Sequence, residues 1–180
     1  MIRPDPVAPS DVVLVPPRDG WAALAQREGE RFAAILGTNL LVIHHIGSTS
    51  IPGIWAKPVL DLMPEVHDVA ALDELRDSIS SAGYEYWGEY GLPGRRFCPR
   101  LGPQGRAANI HCYQTGSPEL LRHLAFRDYL RSFPDIASAY EQEKLRARDL
   151  HPKDLFAYND EKNAWIRKVE QDALDWYRRR

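Results

Sequence analysis

Cysteine is scarce: Cys98 and Cys112 are the two in 180 residues. They fall in different expected strands with no CxxC spacing, so they read as reduced, partly buried thiols of a cytosolic protein. Long apolar runs are missing as well, since no stretch approaches the roughly 20 residues of a membrane span. Charge of one sign is not in excess, and a net charge of −2 gives no global field to draw in nucleic acid or an anionic membrane. The opening MIRPDPVAPSDVV lacks a charged-then-apolar signal design, so a cytoplasmic location is expected. Neither a P-loop nor a GxGxxG glycine motif occurs, which argues against a P-loop kinase and a dinucleotide-binding fold. Internal repeats and low-complexity tracts are also lacking. What is present, 44% hydrophobic and 27% charged residues, suits one globular domain over 1–180 with a single core.

Residues 1–17 are proline-rich, with a short apolar piece at Val12 to Val15, and read as an extended surface arm. From Asp19 to Leu36 the apolar residues Trp21, Leu24, Phe32, Ile35 and Leu36 fall near helical spacing, and Gly37 stops the helix. Apolar runs predict strands at 40–46 and 58–64, and a helix follows from Asp68 to Ala82, ended by Gly83. Three aromatic or branched segments, Tyr84 to Tyr90, Arg95 to Leu101 and Ala107 to Gln114, predict an antiparallel meander because GLPG and GPQG turns separate them. Ser117-Pro118-Glu119 opens a helix to Ser132, Pro134 another to Leu150, and a last one runs from about Pro152 to the end. The order predicts an α+β fold: a mixed β-sheet with flanking helices and a helical C-terminal part.

The informative stretch is VIHHIGSTSIPGIWAKPVLDLMPEV, from Val42 to Val66. The first strand ends in Gly47-Ser48-Thr49-Ser50, whose hydroxyls and backbone N–H groups suit an anion, and Lys57 adds a cation close in sequence. The same turn would also serve plain structure, with glycine permitting it and serine capping a short helix. Asp61 stands inside the apolar run VLDLM, where an unpaired carboxylate is costly, so a ligand role for a divalent cation is favoured. Asp61, Met63 and Glu65 share one strand face, but Glu65 lies about 13 Å from Asp61, too far to share an ion. The metal site is incomplete on this strand.

His111 could reach Asp61 from the meander as a ligand or general base, and Asn109 shares its face. Of the adjacent His44 and His45, His45 shares a face with Gly47 and is the better candidate. Arg95, Arg96 and Arg100 decorate one strand; they suit phosphate oxygens, or else form a basic hairpin balanced by Glu85 and Glu89.

HIGSTSIPGIWAKPVLDL resembles the signature of the GrpB family (UPF0157-type), a branch of the nucleotidyltransferase superfamily. The resemblance extends to VLVPPRDGWAALAQREGERFAAILG, to YGLPGRRFCPR, to the stretch from Asn109 through Arg148, and to the segment from Tyr158 to Lys162. It implies a nucleotidyltransferase-like fold in which a Gly-Ser turn grips a nucleoside triphosphate and strand acids hold two magnesium ions. Gly47 and Ser48 match the turn and Asp61 the first acid. Met63 stands at the second acid position, and Asn109 stands where family members often carry a histidine. The same domain occurs fused to dephospho-CoA kinase in some bacteria, which suggests a CoA-like or adenine-nucleotide ligand.

The expectation is therefore a protein that binds a nucleoside triphosphate with Mg²⁺ and transfers a nucleotidyl group to a small acceptor. Gly47, Ser48, Thr49, Ser50, Lys57, Arg95 and Arg96 would bind the nucleotide, Asp61 the metal, and Asp61 with His111 would act catalytically. The alternative is a non-catalytic nucleotide-binding, CoA-like-ligand-binding or chaperone-like domain with a degenerate metal site, which Met63 favours. Nucleic-acid binding through the arginine hairpin is the weakest reading, and homo-oligomerisation stays open.

Overall fold

The computed structural model describes residues 11–103 and 105–180; of the arm expected over residues 1–17, residues 1–10 lie outside that range, and the rest is not a surface arm, since Val12 and Leu14 are buried and Val15 bridges to Ala56. Helix α1 (Trp21–Leu36) ends at Gly37, whose φ of 53° favours glycine. Strands β1 (Leu40–Ile46) and β2 (Leu60–Val66) flank the Gly-Ser turn. Helix α2 (Arg76–Ser81) is shorter than the spacing predicts, because Ala70–Leu75 winds as a 3₁₀ helix, with Asp68 Oδ1 accepting from Ala70 N–H at 2.8 Å. Strands β3 (Arg95–Gly102) and β4 (Gly105–Gln114) form a hairpin. Helices α3 (Pro118–Ser132), α4 (Pro134–Leu150) and α5 (Leu155–Tyr177) complete the chain, and Ser117 caps α3 as expected.

The expected third meander strand, Tyr84 to Tyr90, is not one. Only Tyr84 bridges to Arg100; the chain then bends through Gly88 (φ 62°) and Tyr90 (φ 44°). It still runs beside β3, with Glu85 N–H donating to Pro99 O at 2.8 Å, Trp87 N–H to Phe97 O at 2.9 Å and Phe97 N–H to Gly88 O at 2.8 Å. Tyr90 stacks on Phe97 at 5.4 Å and Trp87 meets the same ring edge-on at 5.6 Å.

The sheet has four strands in the order β1-β2-β4-β3, with β2 and β4 parallel and the other pairs antiparallel. Register decides its two faces. Ile46 pairs with Asp61 and Asp61 with Asn109, so these residues share one face with Met63, His111 and Tyr113. The other face carries Leu60, Leu62, Ile110 and Cys112 into the main core against Phe32, Leu36 and Ile79. Three arginines on β3 follow the same parity. Arg96 and Arg100 point toward that core side, where Arg96 forms a fork on Asp73 (2.7 and 2.9 Å) and Arg100 a fork on buried Glu28 (2.6 and 2.7 Å). They tie neighbouring elements to the sheet. Helices α3 to α5 pack over the opposite face and over the connection after β1, through Ile51, Ile54, Leu130, Tyr140 and Val169.

Candidate functional site

Gly47 ends β1 with φ 69°, and a Cβ built there would lie 3.0 Å from both Cβ and Cγ of Asp61. Glycine is thus required twice, by conformation and by the approach of the carboxylate. The turn continues as a single 3₁₀ turn, Ser48–Ser50. Ser50 does not offer its hydroxyl to a ligand: Ser50 Oγ donates to Gly47 O at 2.6 Å and its backbone N–H goes to the same oxygen at 3.1 Å. Thr49 Oγ1 meets His45 Nε2 at 2.9 Å, and Ser48 Oγ donates to Tyr140 Oη at 3.4 Å.

Asp61 is the centre of the row on the neighbouring strands. Asn109 Nδ2 donates to Asp61 Oδ1 at 2.8 Å, and His111 Nε2 stands 3.7 Å from the same oxygen. Burial pushes the Asp61 carboxyl up, but the His111 bond and charge, the Asn109 bond and the Lys57 charge outweigh it and hold the group below its usual range. Arg95 sits behind the row. Its Nη1 lies 3.4 Å from His111 Nδ1 while Nη2 donates to Tyr90 O at 2.7 Å. Arginine only donates, so His111 Nδ1 can serve as its acceptor while Nε2 faces Asp61. Asn109 is fixed in turn by Arg106 Nη1 at 3.0 Å.

The turn, Asp61 and Asn109 border a cavity of about 210 Å³, which His111 does not line. Gly47, Ser48, Thr49, Lys57, Asp61 and Asn109 line one side, and Tyr140, Tyr158 and Lys162 the other. Sequence reasoning found the first group and gave no role to the second. Tyr158 and Lys162 are four apart on α5, hence on one helix face, and the lysine ammonium lies 4.6 Å from the Tyr158 ring centre. Burial pulls Lys162 down to about 7, with the Lys57 charge adding to the effect, Asp61 opposing it, and Lys144 adding further. Arg95 and Arg96 do not line the cavity. Arg95 positions His111 from behind, and Arg96 is on the other sheet face with Asp73. His45, paired with Leu62 across the strands, also points to that other face.

The implied magnesium pair can be tested against the donors present. Met63 is fully buried against Ile46, Tyr113 and Leu120 beneath α3, and Glu65 is engaged by Thr115 (2.5 Å) and His44 (3.4 Å). Among the described residues no group of three or more His, Cys, Asp or Glu side chains is placed to hold a metal ion. Asp61 is left as the single carboxylate, beside two lysines. This donor set does not fit a two-metal centre.

Two imidazoles around the site limit acid tolerance. Burial, then the Arg131 and Arg127 charges, bring His45 down to about 4; burial, then Arg122 and His111, bring His123 down to about 3. Both lie below the ordinary value of about 6.5, so between roughly pH 6.5 and 4 the unfolded chain binds more protons than the folded one. Stability therefore falls as pH drops through that window. Thermal melts from pH 7.5 to 4.5 should show this decline, and a His45→Gln/His123→Gln double variant should flatten it; an unchanged slope would refute the assignment.

The layout defines an α+β protein with a mixed four-stranded sheet, whose small polar cavity opens where β1 and β2 meet the C-terminal helices. The chain belongs to the GrpB family: the family model described as GrpB protein matches residues 11–172. It is similar to the UPF0157 protein YqkA of Bacillus subtilis, with 38% identity over 87% of this chain and 45% of that protein. A protein of Mycolicibacterium paratuberculosis named dephospho-CoA kinase is 31% identical over 94% of this chain and 48% of its own length. The chain thus spans a little under half of each of these two relatives. The crystal structure of the conserved protein GrpB from Enterococcus faecalis superposes with a TM-score of 0.87 at 38% identity, covering 92% of this chain and 99% of that one. Among the described residues no helix is long and apolar enough to cross a membrane.

Proposed function

We propose that this chain binds a phosphate-bearing small molecule of the nucleotide or coenzyme A class at a nucleotidyltransferase-like site. The observation that carries the reading is the convergence, in one concavity, of the hydroxyl-bearing turn at Ser48 and Thr49, the cations Lys57 and Lys162, and Asp61. Hydroxyls and ammonium groups are suited to phosphate oxygens. Asp61, held ionised and backed by Asn109 and His111, is suited to accept a hydrogen bond or proton from a ligand hydroxyl. The relatives named dephospho-CoA kinase lend weight to the ligand class, because this chain matches roughly half of their length. Nucleotidyl transfer on two magnesium ions is not part of the proposal, since one carboxylate cannot hold the pair. Binding at this site is the better-supported half of the sequence expectation.

Thermal shift measurements test the reading. A panel of adenosine, AMP, ATP, dephospho-CoA and CoA, each with Mg²⁺ and with EDTA, should raise Tm for phosphorylated members and leave adenosine silent. No shift for any phosphorylated member under either condition would overturn it.

A further inference from the structure

We propose that the cavity seats one phosphate monoester directly on Lys57 and Lys162, with no divalent cation between ligand and protein. The proposal rests on the binding reading above and narrows it to a ligand class and a mode of charge compensation.

The first argument is what Asp61 has left to offer. Its Oδ1 already accepts from Asn109 and faces His111, its Oδ2 lies against Gly47, and Asn109 is itself committed to Arg106. A cation would have to displace these partners to gain a single carboxylate. The second argument is Lys162. Its ammonium is only partly exposed and rests on the Tyr158 ring, and it makes no hydrogen bond or ion pair among the described residues. A desolvated ammonium is costly until an anion pairs with it, and the space in front of it is the cavity. Lys144 is fully buried, donates to Trp55 O and does not line the cavity.

Size supplies the third argument. A cavity of about 210 Å³ is below the roughly 300–1,000 Å³ that encloses a whole drug-sized ligand. It accommodates a terminal phosphate and the atoms next to it, while a nucleoside or pantetheine body would extend outward. Asp61 then has a distinct part: a carboxylate beside a phosphate is repulsive unless a ligand hydroxyl faces it, so the site selects a monoester that also carries a hydroxyl within reach of Asp61, as a ribose phosphate does.

Calorimetry with AMP and ATP, in EDTA and in Mg²⁺, decides the matter. AMP is expected to bind equally well in both, and Lys162→Gln to weaken it by roughly thirtyfold or more. Lys162→Met, which suits a desolvated position even better, is the second variant and should give the same loss. Nucleotide binding that requires Mg²⁺, or wild-type affinity in both Lys162 variants, would overturn the inference while leaving the binding reading in place. Absence of binding by either nucleotide under both conditions would take down the reading and the inference together.

Discussion

Met63→Asp is expected to unfold this protein far more readily than to equip it with a second metal-binding acid. The side chain is fully buried between Ile46, Tyr113 and Leu120, with α3 closing over it. An aspartate there would lose the methionine's packing and bury a charge among Ile46, Tyr113 and Leu120. The nearest polar group of that cluster, Tyr113 Oη, already has no hydrogen-bond partner among the described residues. Burying an unpaired charge costs at least about 3 kcal/mol, a large share of the roughly 5–15 kcal/mol that holds a typical domain together. The expected result is a Tm lower by on the order of 10 °C, with no gain in magnesium affinity. A variant with unchanged Tm that bound Mg²⁺ would show that Met63 is a surface-accessible acid position, contrary to the packing described here. Met63 is a core residue of β2.

Asp61→Asn should have the opposite sign from that expected of a metal ligand. In a two-metal transferase, removal of the first carboxylate abolishes metal-dependent nucleotide binding. Among the described residues that line the cavity, Asp61 is the one negative side chain, beside Lys57 and Lys162. Neutralising it removes repulsion toward a phosphate, and the amide oxygen can still accept from Asn109, so the fold is preserved. Affinity for inorganic phosphate, which carries no ribose hydroxyl to set against Asp61, is expected to rise roughly tenfold, about 1.4 kcal/mol. Titrating wild type and variant side by side, in EDTA and in Mg²⁺, measures it, and binding that needs Mg²⁺ in the wild type and is lost in Asp61→Asn would restore the metal-ligand role.

How far the sequence reveals such a site depends on distance along the chain. β1, the Gly-Ser turn and β2 are legible because their apolar runs and breakers are local, and alternation alone places Asp61, Met63 and Glu65 on one face. Asn109 and His111 were traceable to the same face by the same period of two. Parity was the limit for the arginines: adjacent residues on a strand must diverge, so Arg95 and Arg96 could not both serve one cavity, and nothing local says which face is which. Tyr84 to Tyr90 misled because its aromatic residues mimic a strand while Gly88 and Tyr90 bend the backbone to stack rings on Phe97. Lys162 was beyond local reasoning altogether. Its spacing with Tyr158 marks a helix face, but only the packing of α5 over the connection after β1 brings that face to Asp61.

The most direct test of the account is a crystal structure of the protein grown with AMP in the presence of EDTA. The account predicts the phosphate against Lys57 and Lys162, beside the Ser48–Thr49 turn, with a ribose hydroxyl toward Asp61. A phosphate bound elsewhere on the surface, with this cavity left to solvent, would contradict it.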